Sequence, residues 1–506
     1  MKYNKKNLIL ITIDTLRLDH LNIMNYKKNT TPFLSNLSKE GIFFRNVITN
    51  GPWTAPSFSS IFTSTYPFHR GGYAPLPENK ITLAEILQAN GYFNMAIHST
   101  PLLSRFYGYD RGFNLFYDSM LKKENNIIKN YVLNKVLNKK ALTVNIIDYL
   151  QGLNIPKTLQ YYFLITFYNL LIGKLDYYKK ARYLFQKAIK WIDYYINKYH
   201  DKKPFFLWVH LMDPHDPYFP STEIINLIGC KNLTIKEIKY IQKHPHYINK
   251  LREQNMVNKL IDLYDSEIRY VDDNIKEFFG VLKKEYNYLL ENSLVFITAD
   301  HGDEFNERGS FGHNAKLYDE LLRVPLILSS DYLKEKKGLK NKEIYSLINM
   351  RDFAPTILDL LNITPNPSFE GKSFADLIYD GDKEIQNDPI NDGVFSETYH
   401  KKFFIKFTNK NDREVRRIIS YRTIKWKYII NEQNHHEELY DLENDPRELN
   451  NIVSSYPKLA RIFKSKIINH LKENSTIKKE KNDLIEKMKI SLAIKKLDLF
   501  NKPLIF

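Results

Sequence analysis

Acidic and histidine side chains stand directly after two long apolar runs of this sequence. Asp14 follows the run 7–13, and the pair Asp300-His301 follows the run 293–299. Such runs are typical of strands buried on both faces of a parallel sheet, whose ligands bind at the carboxyl ends of the strands. Because two carboxylates and an imidazole can hold a divalent cation, we predict that Asp14, Asp300 and His301 bind one metal ion. The simpler alternative is that each residue only terminates a strand.

Thr54 is the candidate nucleophile. It lies two residues before Pro56 and shortly before the apolar run 58–62. This pattern predicts a helix start, with Thr54 near the cap and Pro56 in the first turn. The unpaired N–H groups of a helix start attract anions. A metal ion bound beside Thr54 would lower the pKa of its hydroxyl and stabilise the charge that develops on attack at an ester. Considered alone, Thr54 is more simply explained as a helix cap.

Three basic side chains are candidates for handling the ester. His215 follows the apolar run 204–211. An imidazole at that strand end can bind the anion or protonate the leaving oxygen, and the same holds for His313. Lys316 can place a fixed positive charge on the transferred group. His210 lies inside the apolar run, so we interpret it as a core histidine whose hydrogen bonds are satisfied.

Apolar runs alternate with amphipathic segments over roughly the first 380 residues. This alternation predicts an α/β fold with a large, mostly parallel mixed sheet flanked by helices. Residues 1–380 are expected to form the catalytic domain, with a helical insertion at about 121–198. Residues 381–506 are expected to form a small antiparallel C-terminal subdomain and a helical basic tail. The short runs behind the subdomain are 403–407, 416–422, 426–430 and 438–442.

Composition limits the class of protein. The chain has 506 residues, a net charge of +16 and a single cysteine, so an internal disulfide and a cysteine-based metal cluster are excluded. No apolar run approaches the roughly 20 residues of a transmembrane helix. The basic start of the chain lacks a secretory apolar region, which favours a cytoplasmic protein. The positive charge suits a small anionic partner or a peripheral position on an anionic membrane, and no nucleic-acid motif is present.

Ordered motifs make this chain similar to the sulfatase family of the alkaline-phosphatase superfamily. The likeness covers roughly residues 7–118 and 178–455. It is carried by the segments 11–17, 54–57, 65–67, 204–218, 298–303, 312–313, 317–320, 323–327, 353–358 and 438–446. The resemblance implies a large mixed sheet between helices, followed by a small antiparallel subdomain.

The resemblance also implies roles for particular residues. The implied metal ligands are Asp14, the nucleophile at position 54, Asp300 and His301. The implied contacts to the ester come from His215 and from a basic residue near His313 or Lys316.

Several positions depart from the family pattern. The family carries Cys or Ser at position 54 and oxidises it to formylglycine, whereas Thr54 cannot give the aldehyde. Formylglycine is therefore not expected. Phe58 stands where the family has an arginine, Asp14-Thr15 replaces a pair of aspartates, and the segment 98–100 replaces the family's lysine motif.

The predicted activity is hydrolysis of sulfate or phosphate esters, with Thr54 as the direct nucleophile and one divalent ion, Mn, Zn or Ca. An imidazole ligand at His301 favours Mn or Zn. One alternative is a phosphodiesterase or a phosphoglycerol- or phosphoethanolamine-type transferase, in which Asp213, His215 and His313 hold a second metal. Another is a catalytically degenerate family member that only binds a ligand. Neither the natural substrate nor the oligomeric state follows from the sequence.

Overall fold

The computed structural model describes residues 5–73, 75–118, 178–200, 202–229, 234, 236–237, 254–381, 390–399, 417–432 and 434–472. Three sequence predictions fall outside these residues. They are most of the insertion at 121–198, the short run 403–407 and the basic tail beyond residue 472.

Most of the described chain is built on one large sheet. The strands up to residue 349 are Asn7–Ile13 (β1), Ile42–Ile48 (β2), Phe93–Ile97 (β3), Leu115–Tyr117 (β4), Phe205–Leu211 (β5), Ser293–Ala299 (β6), Glu304–Phe305 (β7), Phe311–Gly312 (β8), Arg323–Ser329 (β9) and Lys342–Asn349 (β10). Eight of them form the large sheet in the order β10–β2–β9–β6–β1–β5–β3–β4, while β7 and β8 pair with each other.

The large sheet is mixed and mostly parallel, as predicted. Only β9 runs against its two neighbours, β2 and β6. In the centre, Ile13 of β1 lies opposite Leu211 of β5 and Ala299 of β6. Since these three strands run in the same direction, the residues that follow them leave the sheet side by side. The register therefore places Asp14 and Asp300 at the same edge.

Helices cover both faces of this sheet. Trp208 of β5 packs against Phe58, whereas Phe205 of the same strand packs against Tyr195. Side chains an odd number of positions apart in a strand point to opposite faces, so these two contacts mark two helical layers. The helices are Pro32–Glu40, Thr54–Thr63, Leu83–Ala89, Ala181–Tyr199, Thr222–Leu227, Gln254–Glu285, Asn287–Glu291, Asp319–Leu322, Asp331–Lys337, Phe353–Leu360 and Ala375–Asp380. No helix within the described ranges combines the length and apolar character needed to cross a membrane.

A second, smaller sheet follows in the chain. Its four antiparallel strands are Gly393–Tyr399 (β11), Arg417–Thr423 (β12), Trp426–Asn431 (β13) and His436–Asp441 (β14), in that order. The helix 457–472 packs on it through Phe463, which contacts Tyr421 and Tyr428. The predicted small antiparallel subdomain is thus confirmed as a fold element, while its boundary near residue 380 stays a prediction.

The small sheet is joined to the loop that precedes Thr54. The backbone N–H of Glu397 donates to the carbonyl of Asn50 at 2.9 Å. The Ser396 hydroxyl donates to the carbonyl of Thr49 at 2.7 Å. Strand β11 therefore supports the segment that delivers the candidate nucleophile.

Candidate active site

The two carboxylates and the imidazole predicted to bind a metal converge at the edge of the large sheet. His301 Nε2 lies 3.6 Å from Asp14 Oδ1 and 3.5 Å from Asp300 Oδ2. One donor atom from each residue lies within 4.8 Å of the other two, and all three side chains are buried. Strand register explains this, because Asp14 and Asp300 follow neighbouring parallel strands.

The orientation of His301 leaves a nitrogen ready to accept a cation. Its Nδ1 lies 2.8 Å from the carbonyl oxygen of Gly302, which can only accept a hydrogen bond. Nδ1 therefore carries the proton, and the lone pair of Nε2 faces the two carboxylates. A histidine ligand held by a carbonyl on its other nitrogen is the usual arrangement in metal sites.

Two carboxylate oxygens at this edge are buried without a hydrogen-bond partner, Asp14 Oδ1 and Asp300 Oδ2. Burial and the charge of Asp14 raise the pKa of Asp300 well above its usual range. Burial acts the same way on Asp14, but its hydrogen bond to His210 and the nearby imidazoles hold its pKa well below the ordinary value. Buried unpaired oxygens are costly. A divalent cation would relieve that cost, so these residues fit the implied metal.

Thr54 is the first residue of the helix Thr54–Thr63, and Trp53 is the cap residue. This is the predicted helix start, with Thr54 next to the cap and Pro56 in the first turn, whereas the simpler alternative that Thr54 itself is the cap residue does not hold. Instead, Thr54 Oγ1 lies 3.5 Å from Asp14 Oδ2 and 3.5 Å from His301 Nε2. These distances are long for hydrogen bonds. The hydroxyl thus faces the candidate metal ligands, and the structure brings Thr54 together with Asp14 and His301.

The position of Thr54 depends on the loop before it. The Ser57 hydroxyl donates to the carbonyl of Gly51 at 2.7 Å, and the Thr49 hydroxyl donates to Ser57 at 3.0 Å. A Cβ at Gly51 would approach Pro56 to 2.5 Å, so only glycine fits here. The small and hydroxyl residues of this stretch fold it back onto the helix start.

His210 is a site residue whose role the sequence analysis missed. It is buried and hydrogen-bonded as expected, but its Nε2 lies 3.2 Å from Asp14 Oδ2. Trp208 Nε1 donates to the Thr12 hydroxyl at 3.0 Å, and Thr12 lies 2.9 Å from His210 Nδ1. A hydroxyl that accepts from Trp208 can donate to Nδ1, which leaves the proton on Nε2 to bind Asp14. The sequence could not show this role, because it depends on the strand register that pairs His210 with Thr12, two residues before Asp14.

Two departures from the family pattern have visible consequences here. Phe58 is fully buried and lies edge-on to His210, with ring centroids 5.0 Å apart. It fills core space beside His210 instead of offering a charge. Thr15 adopts a φ of 56°, a strained value for a β-branched residue, and its buried hydroxyl has no hydrogen-bond partner.

His215 and His313 lie beside the metal-ligand group. The His313 ring centroid is 4.7 Å from that of His301 and 5.0 Å from that of His215. His313 Nδ1 lies 3.2 Å from Asp303 Oδ1. Burial alone would lower the pKa of His215, but the carboxylates of Asp216 and Asp14 raise it to about 9. His215 therefore carries a positive charge at neutral pH, which suits it to bind an anion.

Lys316 is not brought into this group. Its ammonium donates to both oxygens of Glu304, at 2.9 and 2.7 Å, and to the Ser310 hydroxyl at 2.8 Å. Among the described residues it makes no hydrogen bond to Thr54 or His301. Its predicted role at the ester would require it to leave these partners.

The alternative second metal site is not assembled either. Asp213 accepts a hydrogen bond from the backbone N–H of Ala181 at 3.0 Å and lies 3.7 Å from the Lys180 ammonium. Within the described part of the chain, Asp213, His215 and His313 are not among the groups whose donor atoms converge.

Known families match almost the whole length of this architecture. The model of the Sulfatase family matches residues 6–363. A second model, described as N-sulphoglucosamine sulphohydrolase, C-terminal, matches residues 307–477. The first match covers the large sheet with Asp14, Thr54, Asp300 and His301. The second covers the small sheet and the helix that packs on it.

Individual relatives agree with these matches. An arylsulfatase of Clostridium perfringens is 24% identical over 474 residues, which is 90% of this chain and 92% of the relative. A multifunctional alkaline phosphatase superfamily protein of Trinickia caryophylli is 22% identical, over 74% of this chain and 78% of its own length.

Solved structures share the fold at low identity. One, in complex with its substrate D-glucosamine-2-N,6-O-disulfate, has a TM-score of 0.65 and 17% identity, covering 93% of this chain and 98% of its own. A phosphonate monoester hydrolase of Agrobacterium radiobacter has a TM-score of 0.61 and 16% identity, with 93% and 96% covered. With the family model spanning more than half of the sequence, the chain belongs to the sulfatase family of ester hydrolases.

Proposed function

We propose that this protein is a metal-dependent hydrolase of sulfate or phosphate esters that uses Thr54 as its direct nucleophile. The observation that carries the proposal is the position of Thr54 Oγ1, 3.5 Å from both Asp14 and His301. Beside it, Asp14 Oδ1 and Asp300 Oδ2 are buried without a hydrogen-bond partner. A hydroxyl at a helix start beside a cation site is an arrangement for attack on an anionic ester.

Asp14, Asp300 and His301 would hold one divalent cation, and the imidazole favours Mn²⁺ or Zn²⁺ over Ca²⁺. When bound, the cation supplies the charge that lowers the pKa of the Thr54 hydroxyl. The protein's own side chains carry out all the other steps. His210 holds Asp14 in place through Oδ2, so that Oδ1 stays directed at the cation site.

The first step forms a bond from Thr54 Oγ1 to the sulfur or phosphorus and breaks the bond to the leaving alcohol. The hydroxyl proton of Thr54 passes to water. His215, charged at neutral pH, binds the ester oxygens, and His313 beside it gives a proton to the leaving oxygen. The product of this step is an ester of Thr54 and a free alcohol.

The second step releases Thr54. His313, now neutral, accepts a proton from water while the water oxygen attacks the sulfur or phosphorus. The bond to Thr54 Oγ1 breaks, Thr54 takes back from water the proton that it released in the first step, and sulfate, or the phosphorus group with any substituent it still carries, leaves.

Phosphorus esters are the second candidate substrate class. Thr54 cannot form the aldehyde that family members use on sulfate esters, whereas a hydroxyl nucleophile suits phosphoryl transfer. The resemblance in fold to phosphonate monoester hydrolases supports testing this class. An acceptor alcohol in place of water in the second step would make the protein a transferase.

Turnover by a Thr54→Ala variant tests the proposal. Aryl sulfate, aryl phosphodiester and aryl phosphonate are each assayed with Mn²⁺, Zn²⁺ and Ca²⁺ added in turn. We expect Thr54→Ala to abolish turnover while metal binding persists, and Thr54→Ser to retain part of it. Undiminished turnover by Thr54→Ala would exclude Thr54 as the nucleophile. No turnover by the unmodified protein across the panel would favour the degenerate binding protein.

A further inference from the structure

A second group of metal-binding side chains lies far from Thr54 in the sequence and meets at the junction of the two sheets. His69 lies in the turn after the Thr54 helix, Glu397 on β11 and His470 in the helix 457–472. Their exposed fractions are 8%, 0% and 5%. One donor atom of each lies within 4.8 Å of the other two, a convergence that the described residues show only here and at the candidate active site.

His69 is oriented like a metal ligand. Its Nδ1 lies 2.7 Å from Glu370 Oε2, and a carboxylate can only accept the hydrogen bond. The proton is therefore on Nδ1, and the lone pair is on Nε2. Nε2 is buried and has no hydrogen-bond partner. A carboxylate behind a histidine, with the opposite nitrogen free, is the arrangement that fixes histidine ligands of zinc.

Glu397 and His470 face the same space. Glu397 Oε1 is paired with His470 Nε2, while Glu397 Oε2 is buried without a partner. The His470 ring is stacked on Phe395 at 4.1 Å and lies edge-on to Tyr66 at 4.5 Å. Because aromatic packing already fixes the ring, the His470 side chain loses little further conformational freedom when an ion binds.

The surrounding charges leave room for a cation. Several cations lie nearby. Arg417 adds positive charge at Glu397 without a hydrogen bond to it among the described contacts, and the Lys80 ammonium donates to the Ser59 hydroxyl and two backbone carbonyls. Two further guanidinium groups are directed at Glu370. Arg70 Nε is 3.2 Å from Glu370 Oε1, and an Arg351 nitrogen is 4.0 Å from Glu370 Oε2. The carboxylate of Glu397 thus remains as the charge for an ion.

We propose that His69, Glu397 and His470 form a structural zinc site that fastens the C-terminal helix and β11 to the catalytic domain. Two imidazoles and one carboxylate are a donor set that suits Zn²⁺. The ion takes the place of the direct contact between His470 Nε2 and Glu397 Oε1. Because β11 hydrogen-bonds the loop before Thr54, the site also steadies the segment that carries the nucleophile. This site is separate from the one that serves Thr54, and neither proposal depends on the other.

Zinc counting separates the two sites. Protein freed of metal with a chelator is loaded with ZnCl₂ and desalted, and the bound zinc is measured by elemental analysis. We expect about two zinc ions per chain for the unmodified protein, and about one for either the double variant Asp14→Asn, Asp300→Asn or the variant His470→Gln. His436→Gln, at an exposed histidine of the small sheet, is the matched control and should bind as the unmodified protein does.

Thermal unfolding gives a second readout that does not require the His470 variant to fold. In the Asp14→Asn, Asp300→Asn background, excess ZnCl₂ should raise Tm by about 5 °C, since zinc then binds only the second site of the folded protein. Adding Glu397→Gln to that background should remove the increase. The proposal is overturned if the Asp14→Asn, Asp300→Asn protein binds no zinc, or if Glu397→Gln and His470→Gln fold and keep all of it.

Discussion

Two buried ionic clusters of this protein differ in how their charges are paired. At the edge of the large sheet, Asp14 and Asp300 each keep one buried oxygen without a partner. At the junction with the small sheet, the fully buried ammonium of Lys427 lies 2.8 Å from Asp319 and 2.9 Å from Glu448. No side chain of the described residues hydrogen-bonds those two oxygens of the first cluster, whereas the second cluster contains both Lys427 and Arg422, whose guanidinium lies 3.2 Å from Asp319.

The difference distinguishes a site that can bind an ion from an internal ion pair that stabilises the fold. Removing carboxylates from water costs several kcal/mol unless a cation compensates them. Lys427 on β13 supplies that compensation from within the chain and thereby ties the small sheet to Asp319, at the start of the helix Asp319–Leu322. At the other cluster the proposed cation would supply it, together with the positive charge of His215. The contrast predicts that mutations in the first cluster change activity and that mutations in the second change stability.

Loss of a carboxylate from the first cluster should have the largest effect. We expect Asp300→Asn to lower kcat/KM by at least about 10³-fold, because the cation and its charge at the reacting centre are lost. The free energy of unfolding in the absence of metal should rise or stay unchanged, since an unpaired buried acid is removed. Assays with added Mn²⁺ or Zn²⁺, combined with urea unfolding, measure both quantities. Asp273→Asn, in a partly exposed ion pair with Arg269, is the control. Full activity in Asp300→Asn would remove the distinction between the clusters.

Loss of the cation from the second cluster should act on stability. Lys427→Met removes the ion pair of Glu448 and leaves Asp319 paired with Arg422 alone, and we expect it to lower the free energy of unfolding by about 3–5 kcal/mol. Lys425→Met is the matched control: it breaks the pair with Glu443 at the surface and should cost less than about 1 kcal/mol. Urea unfolding curves give both values. Equal effects of the two substitutions would show that Lys427 does not stabilise the contact between the small sheet and Asp319.

His215 should set the alkaline limb of activity. Its pKa is raised to about 9, so the imidazolium is present below that pH and is lost as the pH rises through it. We expect kcat/KM to fall above pH 9, and His215→Gln to lower it by about 10²-fold at neutral pH and to remove that fall. A pH–rate profile of both proteins decides the point. An alkaline limb that persists in His215→Gln would assign it to another group.

His210 should have the smallest effect. Its hydrogen bond to Asp14 Oδ2 positions that carboxylate. We therefore expect His210→Gln to weaken metal affinity by about 10–100-fold. Metal titration with activity as the readout should show that saturating Mn²⁺ or Zn²⁺ restores most of the turnover. His20→Gln is the control, because His20 is equally buried but pairs with Asp265. Unchanged metal affinity in His210→Gln would show that Asp14 is held without it.

The fold was largely predictable because long apolar runs mark buried parallel strands. The common location of Asp14 and Asp300 followed from one rule, that the carboxyl ends of parallel strands lie at the same edge of a sheet. Strand β10 was missed because Lys342–Asn349 is half exposed and lacks a continuous apolar run. Strand β11 was missed in the same way, since polar residues alternate along it.

The sequence predicted only those site residues that lie at the end of a recognisable strand or at the start of a recognisable helix. Asp14, Asp300 and His301 follow strands and Thr54 begins a helix, and each of these elements has a clear sequence pattern. Lys316 was misleading because its partner Glu304 is 12 residues away and becomes visible only in three dimensions. The roles of Lys316, His215 and His313 at the ester, like the cytoplasmic location, stay predictions.

The central claim is that the Thr54 hydroxyl attacks the ester itself. The most direct measurement is mass spectrometry of protein quenched with acid during turnover of a slow aryl phosphodiester or sulfate. We predict a fraction of chains that carry the transferred group, with the modified peptide fragmenting to place it on Thr54, and no such adduct in Thr54→Ala. Steady turnover with no adduct at Thr54, together with an active Thr54→Ala variant, would contradict the account.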